Sequence, residues 1–166
     1  MHTPPRVAFS RFGAGDHPML LAWGRFRTRL EVPSLSRPAV TVGRQPATQA
    51  ADRTIWRLFA SNNREIARCA RVYSSLHAAR EQITVAQARI AELELHLVRG
   101  PEPGTYGWVA ALDGRALVTC ARWYQSSVCG EAATSALAQL AGATIADDWR
   151  WTHGSRRRAA EPATWR

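Results

Sequence analysis

The side chains with the clearest chemical capacity come in two matched pairs, Arg71 with Tyr73 and Arg122 with Tyr124. A guanidinium forks a phosphate or carboxylate and a tyrosine ring offers a stacking face, so each pair has the makings of an anion or nucleic-acid contact. The plainer alternative anchors each tyrosine at a strand-to-helix junction and leaves its arginine in solvent. The run Arg156-Arg157-Arg158 adds phosphate contacts that would be salt-dependent and blind to base sequence. A different kind of site comes from Leu76, Ala79, Ile83, Ala86, Ile90, Leu93 and Leu97, whose spacings alternate between 3 and 4. That pattern predicts one apolar stripe along a helix of about 20 residues, and Ile83, Ile90, Leu93 and Leu97 are its candidates for receiving a partner helix.

Nothing comparable points to catalysis. The five histidines, His2, His17, His77, His96 and His153, are scattered, and Glu92 and Glu94 sit two apart, a spacing that does not share a helix face. There is no Ser/His/Asp or Cys/His order, no carboxylate pair flanking a cleft and no phosphate-loop glycine pattern. Cys69, Cys120 and Cys129 form no C-x-x-C pair and have no histidine at metal-ligand spacing, so reduced, packed thiols are expected. The expectation is a non-enzymatic protein with no cofactor and no metal.

The elements that must position these residues are written twice. Ile55 to Ala60 is rich in strand formers, Ser61-Asn62-Asn63 is turn chemistry and Glu65 to Cys69 alternates as a second strand. Asn tolerates the positive φ of a tight hairpin turn, and the second copy uses Asp113-Gly114, the stronger form of the signal. A shift of 51 residues superposes Trp56–Ser75 on Gly107–Ser126 without a gap, and 7 of the 20 positions are identical, Cys69-Ala70-Arg71 with Cys120-Ala121-Arg122 and Tyr73 with Tyr124 among them. So few repeats make a pseudo-symmetric domain rather than a solenoid. A helix follows each copy, with Ser75 and Ser126 or Ser127 as N-caps; the first carries the stripe and the second, roughly Val128 to Ala141, is Ala-rich and ends at Gly142.

This block resembles the repeat of the YegP-like family, small bacterial proteins whose unit runs aromatic-x-Leu-x-Ala, an Asn-Gly-type turn, a strand, then Tyr-Ser-Ser into an Ala-rich helix. The corresponding residues are Trp56-Arg57-Leu58-Phe59-Ala60, Asn62-Asn63, Glu65-Ile66-Ala67 and Tyr73-Ser74-Ser75, and in the second copy Trp108, Ala111, Asp113-Gly114, Leu117-Val118 and Tyr124. The match spans about half the chain. It implies a three-stranded meander plus a helix per repeat and two repeats sharing one sheet with exchanged helices, and it implies no catalytic residues.

The flanks look less ordered. Residues 1–52 carry short apolar clusters between Arg, Pro and Gly and read as a mostly irregular segment, although 22–32 suits a short helix or strand that docks through Trp23 and Phe26. The region 46–52 reads as a linker, and 146–166 as a basic, disordered tail. The formal charge of +9 favours an anionic partner, but all 22 basic residues are Arg, which a GC-rich genome explains without a ligand. No run of about 18 apolar residues could span a bilayer, and Pro18–Trp23 is too short for a signal-peptide core, which suggests a cytoplasmic protein without a membrane partner.

Together these readings predict an α+β domain over 53–145, with repeat one at 53–99 and repeat two at 104–145. Its β-β-(β)-α repeats share one antiparallel sheet with helices packed on one face. The expected role is an interaction module that binds itself, as a homodimer, or another protein. The alternative is non-specific nucleic-acid binding through the Arg-rich flanks and the Arg/Tyr pairs.

Overall fold

In the computed structural model, which describes residues 3–13, 16–35 and 53–152, the chain builds one mixed sheet of eight strands with three helices. The first predicted hairpin is β2 (Arg53–Phe59) and β3 (Glu65–Cys69), followed by α2 (Leu76–Ala88). The second is β5 (Thr105–Leu112) and β6 (Arg115–Cys120), followed by the two-residue β7 (Tyr124–Gln125) and α3 (Ser126–Ala141). Asn63 and Asp113 hold φ of 65° and 50°, so the turn residues do what their side chains allow. Asp113 and Gly114 alone connect β5 to β6, a tight hairpin whose backbone twist matches that of its strands.

Several expectations are corrected. Residues 1–52, expected to be mostly irregular, contribute β1 (Arg6–Phe12) and α1 (Pro18–Arg29). Pro18 opens the helix, where its missing N–H costs nothing, and Arg27 and Arg29 close it against the helix dipole. Leu20, Trp23, Phe26 and Leu30 repeat at 3, 3 and 4, so the piece expected at 22–32 as helix or strand is a helix that starts earlier; Leu20, Trp23 and Leu30 are buried and Phe26 packs against the core. The linker assigned to 46–52 lies outside the described residues. The basic tail assigned from 146 instead carries most of β8 (Thr144–Thr152), which runs parallel to β1. Its charged residues suit an edge strand, and Arg11 stacks over Trp149 at 4.2 Å to hold it.

The sheet order is β4-β5-β6-β3-β2-β1-β8, with β7 pairing β5. All ladders are antiparallel except β1–β8, so the sheet is mixed rather than wholly antiparallel. The two repeat helices share one face, where Gln87 of α2 donates to the Leu140 and Ala143 carbonyls at 2.9 Å. Helix α1 takes the opposite face. Trp56 reaches Gln82 of α2, whereas Arg68, paired in the ladder with Arg57, lies 5.7 Å from the Phe26 ring of α1; successive strand residues point to opposite faces. Gly107 makes that packing possible, since a Cβ there would sit 2.5 Å from the Leu30 methyl and 2.9 Å from the Trp123 ring.

The predicted long helix is the largest correction. α2 stops at Ala88, Ile90–Glu92 forms a single 3₁₀ turn and Glu94–Arg99 is β4, the strand at one end of the sheet. Leu93, Leu95 and Leu97 fit a period of 2 as well as Leu93 and Leu97 fit a period near 3.6, and pairing with β5 decides between them. Of the third strand expected before each helix there is a single bridge, Thr54 to Tyr73, in the first half and the two-residue β7 in the second.

Candidate functional site

In both Arg/Tyr pairs the arginine stacks on its own tyrosine. The Arg71 guanidinium carbon lies 5.3 Å from the Tyr73 ring centroid and that of Arg122 lies 5.0 Å from Tyr124. Each tyrosine also serves as backbone anchor: Tyr73 exchanges two hydrogen bonds with Thr54, at 2.8 and 2.9 Å, and Tyr124 pairs with Tyr106. The surroundings differ, because Tyr73 is buried and Tyr124 half-exposed. The pairs do not converge. β3 and β6 run antiparallel, so the chain leaves them at opposite ends, and the two stacks belong to separate ends of the sheet. Arg156, Arg157 and Arg158 lie outside the described residues.

Arg71 and Tyr73 line a groove of about 1210 Å³ between α2 and the β5–β6 hairpin. Four arginines border it, Arg71, Arg80, Arg89 and Arg115, against the acids Glu81 and Asp113. Two of the four are engaged. Arg89 bonds Asp113 at 2.8 Å and Glu92 at 2.5 Å, holding both carboxyls below the usual range, while Arg80 donates to the Ala146 and Asp147 carbonyls. Under the groove floor, Trp56 Nε1 donates to Gln82 Oε1 at 2.7 Å. The indole nitrogen can only donate, so it fixes the amide and turns Gln82 Nε2 the other way, where it has no partner. The Tyr73 hydroxyl and Arg71 Nε are also buried without a hydrogen-bond partner. Burial pushes the Tyr73 phenol well above its ordinary range; Arg71 and the Trp56 indole lie near enough to oppose that, yet neither reaches hydrogen-bond geometry.

The stripe residues are dispersed by the end of α2. Ile83 is core, Ile90 and Leu93 are half-buried, and Leu97 stands 52% exposed on β4 beside Leu95 at 39%. The thiols lie inside: the Trp56 and Trp108 amides donate to Cys69 and Cys120 Sγ at 3.4 and 3.2 Å, and burial raises these thiols to about 12 and about 11. Among the described residues no three His, Cys, Asp or Glu side chains gather as a metal site, and no helix is long and apolar enough to cross a membrane. Sequence reasoning missed Gln82, Arg115 and Leu95. Gln82 carried a signal, a polar residue between Ala79 and Ala86 on an inward face; the other two depend on packing alone.

No family model, curated protein or solved structure matches the chain.

Proposed function

We propose that this protein is a small, non-enzymatic interaction module that self-associates through the outer edge of β4. The observation that carries the proposal is the contrast between the two ends of the sheet. β8 presents Asp147, Asp148 and Arg150, charges of the kind that keep sheet edges apart, and its exposed Trp149 is stacked by Arg11, whereas β4 carries charge only at its ends, Glu94 and Arg99, and presents Leu95 and Leu97 exposed between them. Antiparallel addition of a second β4 about a dyad normal to the sheet maps each face onto itself. With His96 on that dyad, Leu95 lies opposite Leu97 of the second copy, and the pair is generated twice. Four leucines then cover one another, with cross-strand apolar pairs worth about 0.2–1 kcal/mol each beyond the backbone ladder. This geometry replaces the partner helix expected for the stripe and keeps only Leu97 of it.

Light scattering on a size-exclusion column tests the proposal. The wild type should run as a dimer and Leu97→Lys as a monomer with the same circular-dichroism spectrum, since Leu97 lies outside the core. A wild type that stays monomeric at every attainable concentration removes the proposal.

The halves of the sheet fit the reading that they descend from one duplicated unit, as the YegP-like resemblance implies. In its support, a shift of 51 exchanges the pair Ala67–Cys120 with Cys69–Val118 and leaves Arg68–Thr119 at the centre, as a local dyad requires. On the same reading β1 is an addition slotted between β2 and β8. Without it, β8 would lie against β2 as β4 lies against β5.

A further inference from the structure

The groove beside α2 contains more unused hydrogen-bonding capacity than any other part of the described residues. Tyr73 and Gln82 are only 6% and 8% exposed, and both line it. Gln82 Nε2 brings two N–H donors with no acceptor, Arg71 Nε brings another and the Tyr73 hydroxyl a further one. A buried donor left without an acceptor is destabilising, and here three residues lining one groove incur that cost. The first turn of α2 borders the same space through His77 and Ala78, adding the positive end of a helix dipole. Acceptors are scarce. The Gln82 carbonyl is used by Trp56, the Asp113 carboxylate by Arg89, and the arginines around the groove outnumber its two acids.

We infer that this groove binds a small oxyanion, a phosphate or carboxylate group carried by a low-molecular-weight ligand, held by Arg71, Gln82, Tyr73 and Arg115. Arg71 and Arg115 supply the charge, Arg71 as the half-buried group that spans floor and solvent and Arg115 from the exposed rim. Gln82 and Tyr73 supply direction, because their donors are fixed by the Trp56 bond and by the Tyr73 backbone bridge to Thr54. The groove exceeds the roughly 300–1,000 Å³ usual for a small-ligand pocket, which leaves room for the body of a molecule whose acidic group sits at the floor. None of its lining residues belongs to β4, so this site and self-association stand or fall separately.

Calorimetric titration with inorganic phosphate and with citrate, at ionic strength balanced with sodium chloride, tests the inference and separates the two anion types. Wild-type protein should bind at least one of them saturably with one site per chain. Gln82→Glu keeps an acceptor for the Trp56 indole and replaces the amide donors with a negative charge; it should bind at least about tenfold more weakly. Arg115→Gln, exposed and irrelevant to folding, should weaken binding too, whereas Arg64→Gln at the β2–β3 turn should leave it unchanged. Absence of saturable heat with both anions overturns the inference. So do equal affinities across wild type, Gln82→Glu and Arg115→Gln, or binding confined to a single-stranded oligonucleotide, which would assign the effect to diffuse positive charge.

Discussion

Replacing Gly107 by alanine should loosen α1 from the sheet. The added methyl would lie 2.5 Å from Leu30 Cδ2, 2.9 Å from Trp123 Cζ3 and 3.1 Å from Cys120 Sγ, so three neighbours from three parts of the chain must move. Leu30 and Cys120 are fully buried, and Trp123 packs at a tilt against Phe26 with ring centroids 5.1 Å apart, which leaves none of them free to yield. Overpacking of this kind costs about 1–3 kcal/mol. For a chain of this size that is a fall in Tm of roughly 2–12 °C, at 2–4 °C per kcal/mol. Gly24 and Gly130 are the internal controls, since a Cβ at either meets nothing within 4 Å and both lie inside helices. Alanine at those positions should stabilise by about 0.5–1 kcal/mol through reduced chain entropy. Thermal melts followed by circular dichroism would rank the three. A Gly107→Ala protein that melts with or above the wild type refutes the packing of Leu30 against the strand.

Ile83 and Leu97, equivalent on a helical stripe, should behave differently: at a protein concentration too low for association, Ile83→Ala should cost about 2–5 kcal/mol in urea unfolding and Leu97→Ala close to nothing, and equal costs would restore the long helix. Cys69 and Cys120 should resist a thiol-specific reagent until denaturant is added, and rapid labelling of the folded protein would contradict their burial. Their raised values also set a pH dependence. Between the ordinary thiol value near 9 and the folded values of about 11 and about 12, the unfolded chain has released protons that the folded chain keeps. Stability from these thiols is therefore complete below about pH 9 and declines as the pH rises toward 12, an effect Cys69→Ala should reduce in alkaline unfolding curves.

Local chemistry made both hairpins and their helices legible without coordinates. Turn residues that accept positive φ, strand runs of fixed length and a serine cap act over a few positions, and Asn63, Asp113-Gly114 and Ser75, whose Oγ accepts the Ala78 N–H, perform as their types dictate. The role of Tyr73 and Tyr124 as anchors ahead of each helix was readable for the same reason, whereas the stacking of Arg71 and Arg122 on those rings shows only in the structure. Residues 90–97 were not legible, because their leucines satisfy a helical and a strand period alike, and only the free edge of β5, the next strand along the chain, selects the strand. β1 and β8 escaped notice, and α1 was legible only as a helix-or-strand piece at 22–32, because each becomes stable by burying against elements it does not adjoin in sequence. The groove belongs to tertiary structure as well. Gln82 becomes an oriented donor once Trp56 of a distant strand takes its oxygen, and Arg115 becomes its companion once the second hairpin folds beside α2. Spacing along the chain encodes neighbours a few residues away, while contacts between remote segments depend on which surfaces are left to be covered after those local choices are made.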